Sequence, residues 1–303
     1  MPLEGSDKPF LLSWWVSTDP DAVRQRHAPY SGRMATPDLS ASLDVTPNIT
    51  WLPEAGSTNA DLVARATADP DAWPDFSVLV TDTQRSGRGR LDRVWRTPPG
   101  SSLATSVLLR PSVPADRLGW IPLMAGLAMT RTVQMLLAGA GMRAIDATLK
   151  WPNDVLVRGL KVSGILSELI PGDEPAVVVG AGLNTSMTRD QLPVETATSL
   201  AIECRRTYAP DTVLSLYLTQ LRELYEPFAV AGDARSSGLV SQVSAACETL
   251  GQAVRVQLPD GDLVGVARGI DADGQLLVQP EGEATLRSIS AGDVTHLRPV
   301  PED

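Results

Sequence analysis

Two lysines and a glycine–arginine loop are the parts of this chain best equipped to act on anions. Of the 26 basic residues among 303, only Lys8, Lys150 and Lys161 are lysines, and the last two stand eleven positions apart. A chain that takes arginine wherever it needs generic positive charge has a use at those two positions for a compact ammonium rather than a planar fork. They lie in Leu149-Lys150-Trp151-Pro152-Asn153-Asp154-Val155 and in Leu160-Lys161-Val162-Ser163-Gly164-Ile165-Leu166. Pro152-Asn153-Asp154 reads as a turn, so Lys150 and Asp154 flank a bend between two strands. Asp154 alone is an ordinary turn carboxylate; beside two rare lysines it joins a charged cluster.

The loop runs Gln84-Arg85-Ser86-Gly87-Arg88-Gly89-Arg90-Leu91-Asp92-Arg93-Val94-Trp95-Arg96, with five arginines in its last twelve residues. Glycine lets backbone approach a ligand closely, and arginine forks grip carboxylate or phosphate. The plainer alternative is a solvated basic loop. It is not a P-loop, which requires G-x-x-x-x-G-K-[ST], and it lacks the third glycine of the dinucleotide fingerprint. Val177-Val178-Val179-Gly180-Ala181-Gly182-Leu183-Asn184 also invites a nucleotide reading. Thr185, Ser186, Thr188 and Pro193 follow, no helix opens, and the dinucleotide-binding reading is rejected.

The elements that must carry these residues follow from patterning. Residues 1–50, rich in Pro, Ser, Asp and Ala, read as a loosely ordered extension in which Met34 is an alternative start. Gly56-Ser57-Thr58-Asn59 is an N-cap cluster ahead of a helix that stops near Asp69-Pro70. Strands are expected at 77–81, 103–109, 147–151, 154–158, 161–170 and 176–180, and helices at 118–137, 211–230 and 237–249. This is an α+β arrangement, a mixed β-sheet flanked by helices over 51–250. Short alternating segments after Leu250-Gly251, with turns at 259–262, 273–274 and 280–282, predict a small SH3-like β-barrel over 251–303.

Composition excludes several classes. A net charge of −10 argues against a protein that covers nucleic-acid backbone. Two cysteines and two histidines make neither a disulfide framework nor a metal cluster. No run reaches the roughly 18–20 uninterrupted apolar residues of a membrane span. The patch at 10–16 lacks a small-residue cleavage site, so no signal peptide is read and the expected compartment is the cytoplasm.

Taken together and in order, the glycine–arginine loop at 87–90, Lys150-Trp151-Pro152-Asn153-Asp154, Lys161-Val162-Ser163-Gly164-Ile165-Leu166 and Gly180-Ala181-Gly182-Leu183-Asn184 resemble the motifs of the biotin–protein ligases. Gly56-Ser57-Thr58-Asn59 is similar to that family as well. The resemblance covers residues 51–184 through motifs and 251–300 through the C-terminal module. It is to the short form without an N-terminal DNA-binding domain. That module needs about 60 residues of patterned helix ahead of the core, so no DNA partner is expected.

The resemblance implies a two-step ligase. Biotin's carboxylate attacks the α-phosphate of ATP to give biotinyl-5′-adenylate, and a lysine of a biotin carboxyl carrier domain of an acyl-CoA carboxylase then takes the biotinyl group. It implies catalytic roles for Lys161, Lys150 and Arg90, fixed positive charge being what an anion attacking a polyanion requires. Gly87, Arg88, Gly89 and Arg90 are expected to close over the ligand and exclude water. Ser57, Thr58, Asn59 and Gln84 would pair with the neutral ureido ring, although each can equally serve the following helix as a cap. Gly164 and Asn184 complete the expected adenylate contacts. Trp95 or Trp151 would stack on a ring or stand in the core. Mg2+ would arrive with ATP, with Asn153 and Asp154 orienting it or its waters. One departure stands out: the family commonly has Gly where this chain has Asp92, which places a further carboxylate in the loop. The alternatives are a lipoate–protein ligase and a non-catalytic relative that holds biotin or the carrier, against which both lysines and both loop arginines argue. The C-terminal module either caps the fold or serves ATP or acceptor binding.

Overall fold

The computed structural model describes residues 36–91, 93–258, 261–290 and 292–297. The expectations for residues 1–35, for Asp92 and for Pro259-Asp260 of a C-terminal turn lie outside them. The chain begins with α1 (Ser40–Val45) and β1 (Ile49–Trp51), then α2 (Thr58–Ala68), β2 (Val78–Thr81), the two-residue strands β3 (Gly87–Arg88) and β4 (Val94–Trp95), and β5 (Ser102–Leu109). The long helix α3 (Trp120–Gly139) is followed by β6 (Ala147–Lys150), β7 (Asp154–Val157), β8 (Leu160–Ile170) and β9 (Ala176–Asn184). Next, α4 (Leu200–Cys204), α5 (Pro210–Ala231) and α6 (Leu239–Ala246) lead to β10 (Ala253–Leu258), β11 (Gly261–Ile270), β12 (Leu276–Pro280), β13 (Arg287–Ile289) and β14 (Asp293–His296).

A seven-stranded sheet in the order β1-β2-β5-β9-β8-β7-β6 organises the first part; β1 pairs parallel to β2 and the remaining pairs are antiparallel. Strand alternation sends Val107, Leu109, Val177, Val179 and Leu183 into the core that holds α3 and α5. Leu79, Leu108, Ala176 and Val178 go to the other face, under Leu62 and Ala66 of α2. Full burial of each such Leu or Val contributes roughly 1.5–3 kcal/mol. The helical stretch Ala115–Gly139 is long and apolar enough to cross a membrane by length and composition, though Arg117 and Arg131 interrupt it; 72% of its most apolar 18-residue window is buried, and the helix is the core of this fold.

Two expectations need correction. Residues 36–50 are not loose over their described length. The free N–H groups in the first turn of α1, at Ala41 and Ser42, donate to the Asp211 carboxylate at 3.0 and 2.9 Å, and β1 joins the sheet edge. That cap comes from 170 residues away, so local composition carries no sign of it. The strand expected to end at Gly180 runs on to Asn184, because Gly180 and Gly182 stay paired with β5 and β8. In the C-terminal module the five strands pair antiparallel in the order β13-β12-β11-β10-β14, and among the described residues the outer two do not pair with each other.

This sheet is joined closely to the larger one. Trp120 Nε1 donates to the Ala272 carbonyl at 2.7 Å, Trp151 Nε1 to that of Gly274 at 3.2 Å, and Arg117 pairs with Asp273 at 2.8 Å. A Cβ at Gly119 would fall 2.3 Å from the Asp273 carbonyl oxygen, so backbone meets backbone there.

Candidate functional site

Strand register alone aligns one row across the sheet: Ala104 opposite Gly182, Gly182 opposite Gly164, Gly164 opposite Asp154, and Asp154 opposite Lys150. The next row holds Ser106, Gly180 and Leu166. On the α2 face, therefore, large residues under the helix give way to small ones, and the sheet becomes a floor. A cavity of about 770 Å³ stands over it, closed by the glycine–arginine loop and by Gly292, Val294 and Thr295 of the C-terminal module.

One end of the cavity is polar and uncharged. Ser57 caps α2, its hydroxyl accepting from Ala60 N–H. Gln84 Oε1 accepts from the Thr58 N–H at 3.0 Å. Ser106 Oγ lies 2.6 Å from Asn59 Oδ1 and 2.7 Å from Thr58 Oγ1. The amide oxygen can only accept, so the serine proton goes to Asn59. Asn59 Nδ2 donates to the Leu166 carbonyl at 3.0 Å, which fixes the amide at both ends.

The other end is charged. Lys161 Nζ sits 2.6 Å from Asp154 Oδ1 and 5.8 Å from the centre of the Trp95 ring. Its backbone is held by Thr196 O and Thr198 N at 2.8 Å each, and Asn184 Nδ2 donates to the Thr198 carbonyl at 2.9 Å. The Lys150 ammonium has no hydrogen-bond or ion-pair partner among the described residues. Beside it, burial and the Lys150 charge hold the His296 imidazole of β14 below its ordinary value, against a smaller upward pull from Glu248.

The loop lies across both ends. Gly87 and Arg88 pair with Trp95 and Val94. A Cβ at Gly87 would meet Gln84 Nε2 at 2.4 Å and the Trp95 carbonyl oxygen at 2.5 Å. Arg90 donates to Asn153 Oδ1 and to the Gly292 carbonyl, both at 3.2 Å, and Gly89 N–H closes on Arg93 O at 2.7 Å. The Trp95 indole lies on the floor, 2.7–2.9 Å from where a Gly182 Cβ would be, with Nε1 buried and without a hydrogen-bond partner among the described residues.

The cavity thus brings together Ser57, Thr58, Asn59, Gln84, Arg88, Gly89, Arg90, Trp95, Lys150, Asn153, Asp154, Lys161, Gly164 and Asn184, while Gly87 braces the loop from beneath. Trp151 belongs to the domain joint instead. Sequence reading missed Ser106 and Glu168. The first was signalled by the period-two small residues Ser102, Ala104 and Ser106, the second by a lone acid in an apolar strand.

Residues 58–184 match the model of the Biotin/lipoate A/B protein ligase family, and residues 249–297 match the Biotin protein ligase C terminal domain. A biotin--[acetyl-CoA-carboxylase] ligase of Mycobacterium tuberculosis is 38% identical over 247 residues, 81% of this chain and 87% of that protein. The chain belongs to the biotin–protein ligase family. A second such ligase, from Paracoccus denitrificans, is 30% identical over 80% of this chain and 98% of its own. Among solved biotin protein ligases, that of Aquifex aeolicus in complex with biotin and ATP superposes with a TM-score of 0.65 at 27% identity, covering 83% of this chain and 99% of that one.

Proposed function

We propose that this chain couples biotin to ATP, forming biotinyl-5′-adenylate and pyrophosphate, and then transfers the biotinyl group to a lysine of a biotin carboxyl carrier domain. The observation that carries this reading is the polarity of one cavity: hydrogen-bonding amides and hydroxyls at one end, two lysines at the other, and a glycine floor between. A neutral ring asks for pairing without charge, and the acyl-transfer end asks for cations. A lipoate ligase would need no fixed amide such as Asn59, and a mere binder of the ring would need neither lysine.

In the first step a carboxylate oxygen attacks the α-phosphorus and pyrophosphate leaves with the bonding pair. Lys161 meets the charge gathering on the carboxylate and phosphate oxygens, and Lys150 is a second cation on the neighbouring strand. Arg90 closes the loop over the product. In the second step the acceptor amine attacks the acyl carbon, AMP departs with the electron pair and the amine loses a proton. Trp95 Nε1 is buried against the floor at Gly182, so what the ring offers the ligand is its face and edge rather than its N–H. Asn153 and Asp154 do not fit a metal site: Asn153 accepts from Arg90 and donates to Ile165 O, and Asp154 faces Lys161. No group of three His, Cys, Asp or Glu side chains that could hold a metal occurs among the described residues. In this reading Mg2+ arrives with ATP.

The test is the intact mass of a carboxylase carrier domain after incubation with this protein, Mg-ATP and equal biotin and lipoate. A single biotinyl addition is expected. A lipoyl addition would move the assignment to the sister activity, and absence of both product and pyrophosphate would end it.

Arg90→Gly removes the loop's hydrogen bonds to Asn153 and Gly292, each about 1.5–3 kcal/mol for a charged donor. The adenylate should escape, and labelling of bystander lysines should rise by about tenfold or more. Bystander labelling at the wild-type level would remove the retention role from Arg90.

A further inference from the structure

We propose that Glu168 is a positioning residue that anchors the root of the loop through Arg88, so that Arg88 serves as the lid's tether rather than as a grip on ligand. The functional consequence rests on the ligase reading above; the anchor itself rests on geometry. Glu168 lies on β8, four residues beyond Gly164, and its side chain is 3% exposed. Both carboxylate oxygens are within reach of Arg88 Nη2, at 3.2 and 3.3 Å. A carboxylate that deep is tolerated only with a cationic partner, and swinging Arg88 away to a phosphate would leave it buried and uncompensated. An anionic ligand therefore gains little from Arg88.

The surroundings give the loop a buried root and an exposed tip. Gly87, immediately before, is wedged between Gln84 and the Trp95 carbonyl, and Arg88 pairs with Val94. Beyond them the loop is closed on itself by the Gly89–Arg93 hydrogen bond, and Leu91 at the tip is 68% exposed with a left-handed φ of 54°. The tether thus sets where the arm leaves the sheet, and Arg90 carries the contact over the cavity. Arg90 then reaches a constant position over Asn153.

Glu168→Gln keeps the shape and an acceptor and removes the charge. In ligand-free protein, tryptic cleavage after Arg90 and Arg93, bonds common to every variant, should quicken about tenfold while cleavage elsewhere is unchanged. With ligands, KM for ATP should rise about tenfold and kcat fall less than threefold. In an Arg88→Gln background the same change should add nothing to either readout. Unchanged lid cleavage, or an equal effect in both backgrounds, would overturn the anchor. Should Glu168→Gln not fold, Arg88→Gln alone must give the faster cleavage. Faster cleavage in a protein that biotinylates nothing would uphold the anchor and sink the ligase reading.

Discussion

Replacing Lys161 with Ala should lower the rate of pyrophosphate release by about 10²–10³-fold at saturating biotin and ATP, the usual cost of removing one preorganised group that meets developing charge. The position has no substitute nearby. Lys161 reaches the end of the floor because Gly164 offers no Cβ, which would lie 3.2 Å from the ammonium, and because the parallel bridge to residues 196–198 holds its backbone. Lys150 adds charge from the neighbouring strand, but the contacts to Asp154 and the Trp95 ring that fix an ammonium at this end are made by Lys161. Lys161→Arg should recover little, since a planar guanidinium cannot reproduce a compact charge in contact with both Asp154 and the Trp95 ring. Binding of biotin alone, measured by titration without ATP, should change far less than the rate. A Lys161→Ala variant with normal pyrophosphate release would move the catalytic charge elsewhere.

What was legible beforehand was what the chain carries in rare or contiguous residues. Two lysines in an arginine-using protein, and five arginines in one glycine loop, mark the charged end without any structure. The turn at Pro152-Asn153-Asp154 and the N-cap cluster at 56–59 were legible for the same reason, since each is decided by its own few residues. Ser106 and Glu168 were not, because their significance depends on strand register, and a strand's neighbours are not written in its own sequence. The same holds for α1, capped by Asp211 from the start of α5, and for Trp151, whose indole finds the C-terminal turn at Gly274 rather than a ligand. Asn184 lines the cavity, yet its amide is turned to the Thr198 carbonyl, where it shapes the segment behind Lys161.

Register also explains why the G-x-G at 180–182 matters without binding a dinucleotide. Gly180→Ala should weaken biotin binding by about 10²-fold or more. The new methyl would stand 2.2 Å from Asn59 Oδ1 and 2.8 Å from its Cγ, and Asn59 cannot yield without losing both the Ser106 and Leu166 hydrogen bonds. A displaced Asn59 amide no longer meets the ring, and at about 1–3 kcal/mol for each buried polar group left unpaired in the complex, two lost ligand contacts reach the stated factor. Because the loss falls on the uncharged end, adenylation at saturating biotin should suffer much less than affinity, the reverse of the Lys161→Ala pattern. Gly139→Ala, at the far end of α3 with nothing within 4 Å of the added carbon, is the control and should bind biotin normally. Calorimetric titration with biotin separates the cases. Equal affinity in Gly180→Ala and wild type would mean that Asn59 does not hold the ring, and the polar end would then be packing rather than recognition.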